Sequence, residues 1–154
     1  MKPFLLFILV TTLLTFCSKD DQDVILGTSQ VDSLLVDSRW MITENIAIDS
    51  LNRTTDLTID KPEFQKDDYL LFNRDSTYEL NDNRILRSDT TSLIVDAGKW
   101  QLSPDKKMIL RESTVFNSTY PAATIKEIST NTLYLETHSD ADKSIVRTRY
   151  QKIN

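Results

Sequence analysis

Carboxylates are plentiful in this chain, but histidine and cysteine, the commonest general base and a strong nucleophile, occur once each. His138 is the single histidine, and the alternation of its segment places it beside Glu136. A histidine acts as a general base or a metal ligand only where further groups converge on it. Nothing in the spacing around His138 predicts such convergence. We therefore expect an exposed strand histidine rather than a catalytic one.

The paired carboxylates also lack the spacing of a site. Asp140–Ser144 begins like a calcium loop but has neither the glycine at the sixth position nor the closing glutamate, so we predict a turn. The chain contains no nucleophile elbow, no His-Glu-x-x-His sequence and no glycine-rich phosphate loop. Hydrolysis by a carboxylate pair such as Asp67–Asp68 would need two acids roughly 5–10 Å apart in a cleft. We predict no catalytic residue, no metal site and no cofactor, and hence a protein that is not an enzyme.

Cys17 is the only cysteine, and it ends an apolar segment. A basic start at Lys2 followed by 13 uncharged residues, 4–16, is the layout of a secretory signal peptide. The run is shorter than the roughly 20 residues that span a bilayer as a helix. The segment resembles a bacterial lipobox, with Leu14 three residues before the cysteine, although Phe16 is larger than the residue usual before it. The resemblance implies cleavage after residue 16 and a lipid on Cys17. A plain cleaved signal peptide is the alternative.

Residues 17–33 are polar and acidic, and we interpret them as a tether. Asp20 and Asp21 follow the cysteine closely. This stretch resembles the acidic segment after the acylated cysteine in Bacteroidetes lipoproteins, which implies a cell-envelope protein anchored to the outer membrane and facing outward. The alternative interpretation is a solvated linker without a targeting role. The folded domain is then expected over residues 34–154.

Charge and length limit the partners. Loss of residues 1–16 removes Lys2 and leaves 17 basic against 23 acidic residues, a net charge of −6. An acidic surface without a basic patch argues against nucleic-acid binding. A chain of 154 residues fits one domain with a sizeable core.

Residue types and alternation in the domain predict β-structure. Arg39–Ile48 is rich in aromatic and β-branched residues, with Trp40, Ile42 and Ile46 on one parity. The following segment, 49–66, has the length of a functional loop, and we expect it to cover the mouth of the domain. Further short strands follow, with turn residues between them, so we predict about eight or nine strands in an antiparallel meander that forms a barrel or a sandwich.

Alternation predicts which side chains face inward. From Thr132 onward, Leu133, Leu135 and Thr137 share one face, and Val146, Thr148 and Tyr150 share a face of the last strand. The opposite faces predict cross-strand pairs of Glu136 with Arg147 or Arg149. Five bulky residues are expected inside and favour a filled or narrow interior: Trp100, Met108, Leu110, Leu133 and Leu135. Ile125 and Ile128 break parity, which predicts a bulge.

Four stretches carry a resemblance to a known family. They are Trp40, residues 66–78 (KDDYLLFNRDSTY), residues 98–105 (GKWQLSPD) and the hairpin from Ile125 to Tyr150. Together they are similar to the lipocalin-like domains of Bacteroidetes lipoproteins. Ser38 and Ser76 stand where that family often has glycine. The resemblance implies an all-β fold, an up-and-down antiparallel barrel of about eight strands on a lipid anchor.

Two functions are compatible with such a barrel. The first is binding of a small apolar or amphipathic molecule. The second is a filled barrel that acts as an accessory or inhibitory module on another envelope protein. An eight-stranded barrel is wide enough either to be filled by side chains or to hold one small ligand. The candidate ligand-binding residues are Trp40, Phe72, Tyr78, Trp100, Leu133 and Leu135.

Overall fold

The computed structural model describes residues 28–59, 61–62, 65–82 and 94–154. The signal peptide, Cys17 and the start of the tether lie outside these residues. Within them the chain forms one helix and ten strands, and that helix is too short to cross a membrane. The elements are α1 (Thr28–Leu35), β1 (Arg39–Ile48), β2 (Thr54–Asp56), β3 (Tyr69–Phe72), β4 (Thr77–Asn81), β5 (Ile94–Leu102), β6 (Met108–Ser113), β7 (Ser118–Thr119), β8 (Ala123–Ile128), β9 (Thr132–His138) and β10 (Ile145–Ile153).

Eight of the described strands close into an antiparallel barrel. The order is β1-β3-β4-β5-β6-β8-β9-β10, and β10 pairs with β1 to close it. Apart from the short strands β2 and β7, strands that neighbour each other in the barrel also follow each other in the sequence. The predicted up-and-down barrel is therefore confirmed. Strand β2 pairs with the end of β1, and β7 pairs with the end of β6. The segment expected to cover the mouth therefore extends the wall through β2.

Helix α1 lies at the end of the barrel where β1 begins. Val31 and Leu35, one helical turn apart, belong to the buried core, and the Trp40 indole N–H donates to the Leu35 carbonyl at 3.1 Å. An ion pair joins Asp32 to Lys106 in the β5–β6 turn. The helix was not predicted, and it extends the folded domain from the expected residue 34 back to Thr28.

A bulge in β1 changes the face of its second half. The register with β10 shifts between Ile42 and Glu44. Trp40 and Ile42 face inward as predicted, but Ile46 lies opposite Arg147 on the outer face. The prediction that Ile46 shares the inner face was therefore wrong, because one extra residue reverses the alternation. The bulge predicted in β8 is confirmed by a register shift between Ile125 and Glu127.

Strand β5 runs without interruption through Gly98. A Cβ at this position would overlap the Glu112 carbonyl of β6, so the close approach of the two strands requires glycine. In β6, Ile109 is 1% exposed whereas Met108 is exposed. The expectation that Met108 and Leu110 face inward was wrong: Ile109 and Arg111 have the inward parity.

The barrel interior has two parts. The packed half adjoins α1 and contains large buried apolar side chains; these are Val31, Leu35, Trp40, Leu70, Phe72, Tyr78, Trp100, Ile109, Ile128, Leu133, Leu135 and Tyr150. The open half lies toward the other end. We define it by the inward-facing residues Ile42, Asn45, Ala47, Leu80, Asp96, Arg111, Ser113, Ala123, Thr137, Val146 and Thr148.

Candidate functional site

The open half keeps inward-facing side chains in contact with solvent. Among the residues that define it, Asp96, Ser113 and Ala123 are buried, and the others remain partly exposed. By contrast, the large side chains named for the packed half are at most 8% exposed. The lining combines apolar groups with a polar pair, since the Thr148 hydroxyl donates to the Asn45 side-chain oxygen at 3.0 Å. This composition is typical of a small-molecule pocket.

A buried carboxylate organises one side of this half. Asp96 is 3% exposed and accepts three hydrogen bonds from hydroxyl groups. The donors are Ser113 at 2.5 Å, Tyr78 at 2.7 Å and Tyr120 at 2.9 Å. Three elements supply these donors: β4, β6 and the segment before β8. The carboxylate therefore ties parts of the wall together at the boundary between the two halves.

The hydrogen bonds keep this carboxylate ionised. Burial alone would raise the pKa of Asp96, but the hydrogen bonds from Ser113, Tyr78 and Tyr120 lower it below the usual value. Burial, together with the bond to the carboxylate, raises the pKa of Tyr78 and of Tyr120. The cluster thus carries one negative charge and neutral phenols at physiological pH.

One cation faces the same space. The Arg111 guanidinium lies 4.9 Å from the centre of the Tyr120 ring and 5.5 Å from that of the Tyr78 ring. Both rings are fixed by their bonds to Asp96. Cation–π contacts of this kind hold a guanidinium in place without using its N–H groups.

The barrel wall has a groove beside β1. On this edge β1 pairs with β3 only at residues 39–41 and with β2 only at residues 46–48. A groove of about 280 Å³ lies between the two pairings. It is lined by Ile42, Thr43, Thr58, Ile59, Lys61, Gln65 and Lys66. Because Ile42 also packs against the core, the groove reaches an inward-facing side chain.

The structure brings the six candidate ligand-binding residues together in the packed half. Trp40, Phe72, Tyr78 and Leu133 are 0% exposed, Leu135 is 4% and Trp100 is 8% exposed. The Phe72 and Trp100 rings meet edge to face with centroids 5.1 Å apart. These side chains fill the barrel. Tyr78, Trp100 and Leu135 lie at the boundary with the open half, next to Asp96, Arg111 and Thr148, respectively. Other residues therefore line the accessible space.

Three carboxylates are close enough to hold a cation. Oxygen atoms of Asp67, Asp68 and Asp82 lie within 4.8 Å of one another. Each of these side chains also has an interaction with a neighbouring group. Acidic clusters of this kind are common without a metal ion, and we assign no function to this one. Asp142 accepts from the backbone N–H and the hydroxyl of Ser144, as in a turn.

The outer wall near β10 has the predicted charge pairs. Glu136 accepts from Arg147 at 2.9 Å, and His138 lies 3.1 Å from the same carboxylate. Arg149 lies 3.6 Å from Glu44 and 3.6 Å from Glu127. His138 is exposed, as expected, and its neighbours are those of a surface ion-pair network.

The sequence reasoning missed the polar half of the interior. Asp96 shares the parity of Trp100 in β5, and Arg111 shares the parity of Ile109 in β6. Alternation from either buried residue would have placed a charge inside the barrel. Tyr120 carried no such signal, since it lies in a connection outside the described strands.

No family model and no curated protein sequence matches this chain. The similarity to lipocalin-like lipoproteins stays a prediction from the residues. The closed antiparallel barrel is consistent with it.

Proposed function

We propose that this protein is a non-enzymatic binding protein that holds a small apolar or amphipathic molecule in the open half of its barrel. The observation that carries the proposal is the partial exposure of inward-facing side chains there. The apolar lining from Ile42, Leu80 and Val146 would take an alkyl or ring portion of a ligand. Asn45 and Thr148 would orient its polar portion by hydrogen bonds.

We also propose that the protein is a lipoprotein with a lipocalin-like barrel, anchored by Cys17 to the outer membrane. The apolar segment before the cysteine and the acidic residues after it support this location. Cells grown with labelled palmitate should yield labelled wild-type protein and unlabelled Cys17→Ser protein. Absence of label from the wild type would exclude the anchor without affecting the barrel.

Native mass spectrometry of the protein purified from its own cell tests the binding function. A bound small molecule should add a reproducible mass, and this mass should disappear when the protein is unfolded and refolded in clean buffer. Addition of a cell extract to the refolded protein should restore it. Recovery of the protein without any added mass, before and after incubation with the extract, would exclude the function.

A second function is favoured by a separate observation. Ile94, Val95, Val115 and Phe116 are exposed by 49%, 45%, 53% and 60%, respectively. Ile94 and Val95 begin β5, the strand that carries Asp96, and Val115 and Phe116 follow Ser113 at the end of β6. Exposed apolar residues close together are typical of protein interfaces. The protein would then act as an accessory module, and Phe116→Ser should abolish crosslinking to an envelope partner while leaving the fold intact.

A further inference from the structure

Arg111 faces the interior of the barrel although it carries a full charge. It lies opposite Trp100 in the β5–β6 register, and it has the parity of Ile109 and Ser113, which are both buried. Residues directly opposite each other in an antiparallel pair project from the same face. Arg111 is the only Lys or Arg among the described side chains that face inward.

The guanidinium has aromatic contacts and no carboxylate partner. Its neighbours are the rings of Tyr78 and Tyr120, and within the described part of the chain it makes no ion pair or hydrogen bond. An arginine carries five N–H donors in a planar fork, and ring faces do not satisfy them. Arg111 is partly exposed, so these donors are accessible to an acceptor that enters from solvent.

Arg149 provides a direct contrast on the outer wall. Its guanidinium lies over the Tyr134 ring at 4.7 Å, so it has the same kind of aromatic contact. It also has Glu44 and Glu127 as anionic neighbours. The exposed arginine thus has two carboxylates near it, while the inward-facing one has none bonded to it among the described residues.

The buried carboxylate of Asp96, which is bonded to both rings, already has three other donors. Asp96 accepts from Ser113, Tyr78 and Tyr120, and it positions the two rings between which Arg111 lies. Its effect on Arg111 is therefore to orient the guanidinium through the rings. The N–H groups remain available to an acceptor that enters the open half.

We propose that Arg111 is the receptor for the anionic headgroup of the ligand, and that the ligand is an amphipathic molecule with a carboxylate. The proposal rests on the binding function proposed above. A planar carboxylate matches the fork of a guanidinium with two parallel hydrogen bonds. The Asp96 carboxylate, which is bonded to the same two tyrosines, already offsets the charge of Arg111. A singly charged carboxylate is therefore favoured over a phosphate monoester, which carries about −1.5 to −2 at neutral pH.

The test compares three probes with the same alkyl tail: laurate, lauryl alcohol and lauryl phosphate. The full chain with Cys17→Ser is titrated with each probe, and binding is followed by the fluorescence of Trp40 and Trp100. Laurate should bind roughly 10- to 100-fold more tightly than the alcohol, the range expected for hydrogen bonds to a charged group. It should also bind more tightly than the phosphate.

Two variants separate the headgroup receptor from the rest of the pocket. Arg111→Gln should reduce the preference for laurate over the alcohol to about one- to three-fold, while the alcohol binds as before. Arg149→Gln removes the same charge from the outer wall and should leave the preference unchanged. Because the wild-type comparison needs no variant, it stands even where Arg111→Gln folds poorly.

The outcomes distinguish the two proposals. Equal binding of laurate and alcohol by the wild type would overturn the role of Arg111 and leave the binding function intact. Tighter binding of the phosphate would overturn the carboxylate assignment. An unchanged laurate preference in folded Arg111→Gln would overturn the role of Arg111 as the headgroup receptor. Failure of the wild type to bind any of the three probes would overturn both this inference and binding of single-chain amphiphiles.

Discussion

The packed half and the open half of the barrel are built from the same strands but from different side chains. In the packed half, β9 contributes Leu133 and Leu135, which are 0% and 4% exposed. One pleat further along, the same strand contributes Thr137, which remains partly exposed. On β5 the change is from Trp100 to Asp96. Each strand thus passes from core residues to pocket residues within one or two pleats.

The packed half stabilises the fold, whereas the open half provides the side chains for ligand binding. Large apolar side chains stabilise the fold where they fill the space completely. Polar side chains and one charge line the half where solvent reaches the interior, and there they are available to a ligand. Substitutions in the two halves should therefore have unequal effects.

Leu133→Ala and Leu80→Ala compare the same truncation in the two halves. Leu133 is fully buried, and we expect its loss to reduce the free energy of unfolding by about 3–4 kcal/mol, because a cavity remains. Leu80 faces inward but is partly exposed, and its loss should cost about 1 kcal/mol. Urea denaturation followed by tryptophan fluorescence measures both. Equal losses would mean that the open half is as tightly packed as the other.

Asp96→Ala tests the boundary between the halves. The substitution leaves three hydroxyl donors without their acceptor, and we expect a loss of about 2–3 kcal/mol. Ser113→Ala removes one of the donors and should cost about 1 kcal/mol. The same denaturation experiment gives both values. A loss below about 0.5 kcal/mol for Asp96→Ala would show that the cluster does not hold the wall strands together.

The raised pKa values of three tyrosines predict that folding stability falls at alkaline pH. Burial raises the pKa of Tyr150, and burial with the bond to Asp96 raises the pKa of Tyr78 and Tyr120. A group whose pKa is higher in the folded state contributes stability that is present below its unfolded pKa and lost as pH rises above it. Stability should therefore fall from about pH 10 upward. Denaturation midpoints between neutral pH and alkali measure the loss, and Tyr150→Phe should make it shallower. A flat profile for the wild type would contradict the neutral, buried phenols.

Glycine substitutions in two turns should have similar effects on stability, because both turns lie outside the barrel interior. Ser76 joins β3 to β4 with φ 68°, and Lys143 lies between β9 and β10 with φ 56°. Replacing either by glycine relieves a left-handed residue, and we expect a gain of about 0.5 kcal/mol in each case. Thermal unfolding of Ser76→Gly and Lys143→Gly checks this. A large difference between them would mean that turn strain, and not only interior packing, distinguishes the two ends.

The sequence predicts the barrel well where alternation is strict. Residues 132–138 alternate without interruption, and the bounds and both faces of β9 follow from that pattern. The pairing of Glu136 with Arg147 follows as well. All six candidate ligand-binding residues lie inside the barrel because large apolar residues on one parity mark the core.

The remaining features depend on contacts that a single strand does not contain. The bulge after Ile42 reverses the face of Ile46, and the apolar pattern alone gave no reason to expect it. Alternation gives the inward parity of Arg111, but the rings of Tyr78 and Tyr120 that its guanidinium contacts lie outside its own strand. Helix α1 has only eight residues, too few for a sustained apolar stripe, and it is held by the barrel end it covers.

Cysteine labelling under native conditions measures solvent access to the interior directly. In a Cys17→Ser chain, Thr148→Cys places a thiol in the open half and Leu133→Cys places one in the packed half. The thiol at residue 148 should react with a small reagent in the folded protein, at a rate that low concentrations of urea do not change. The thiol at residue 133 should react only through unfolding. Equal protection of the two thiols in the native protein would mean that the barrel is filled from end to end and that its interior binds nothing.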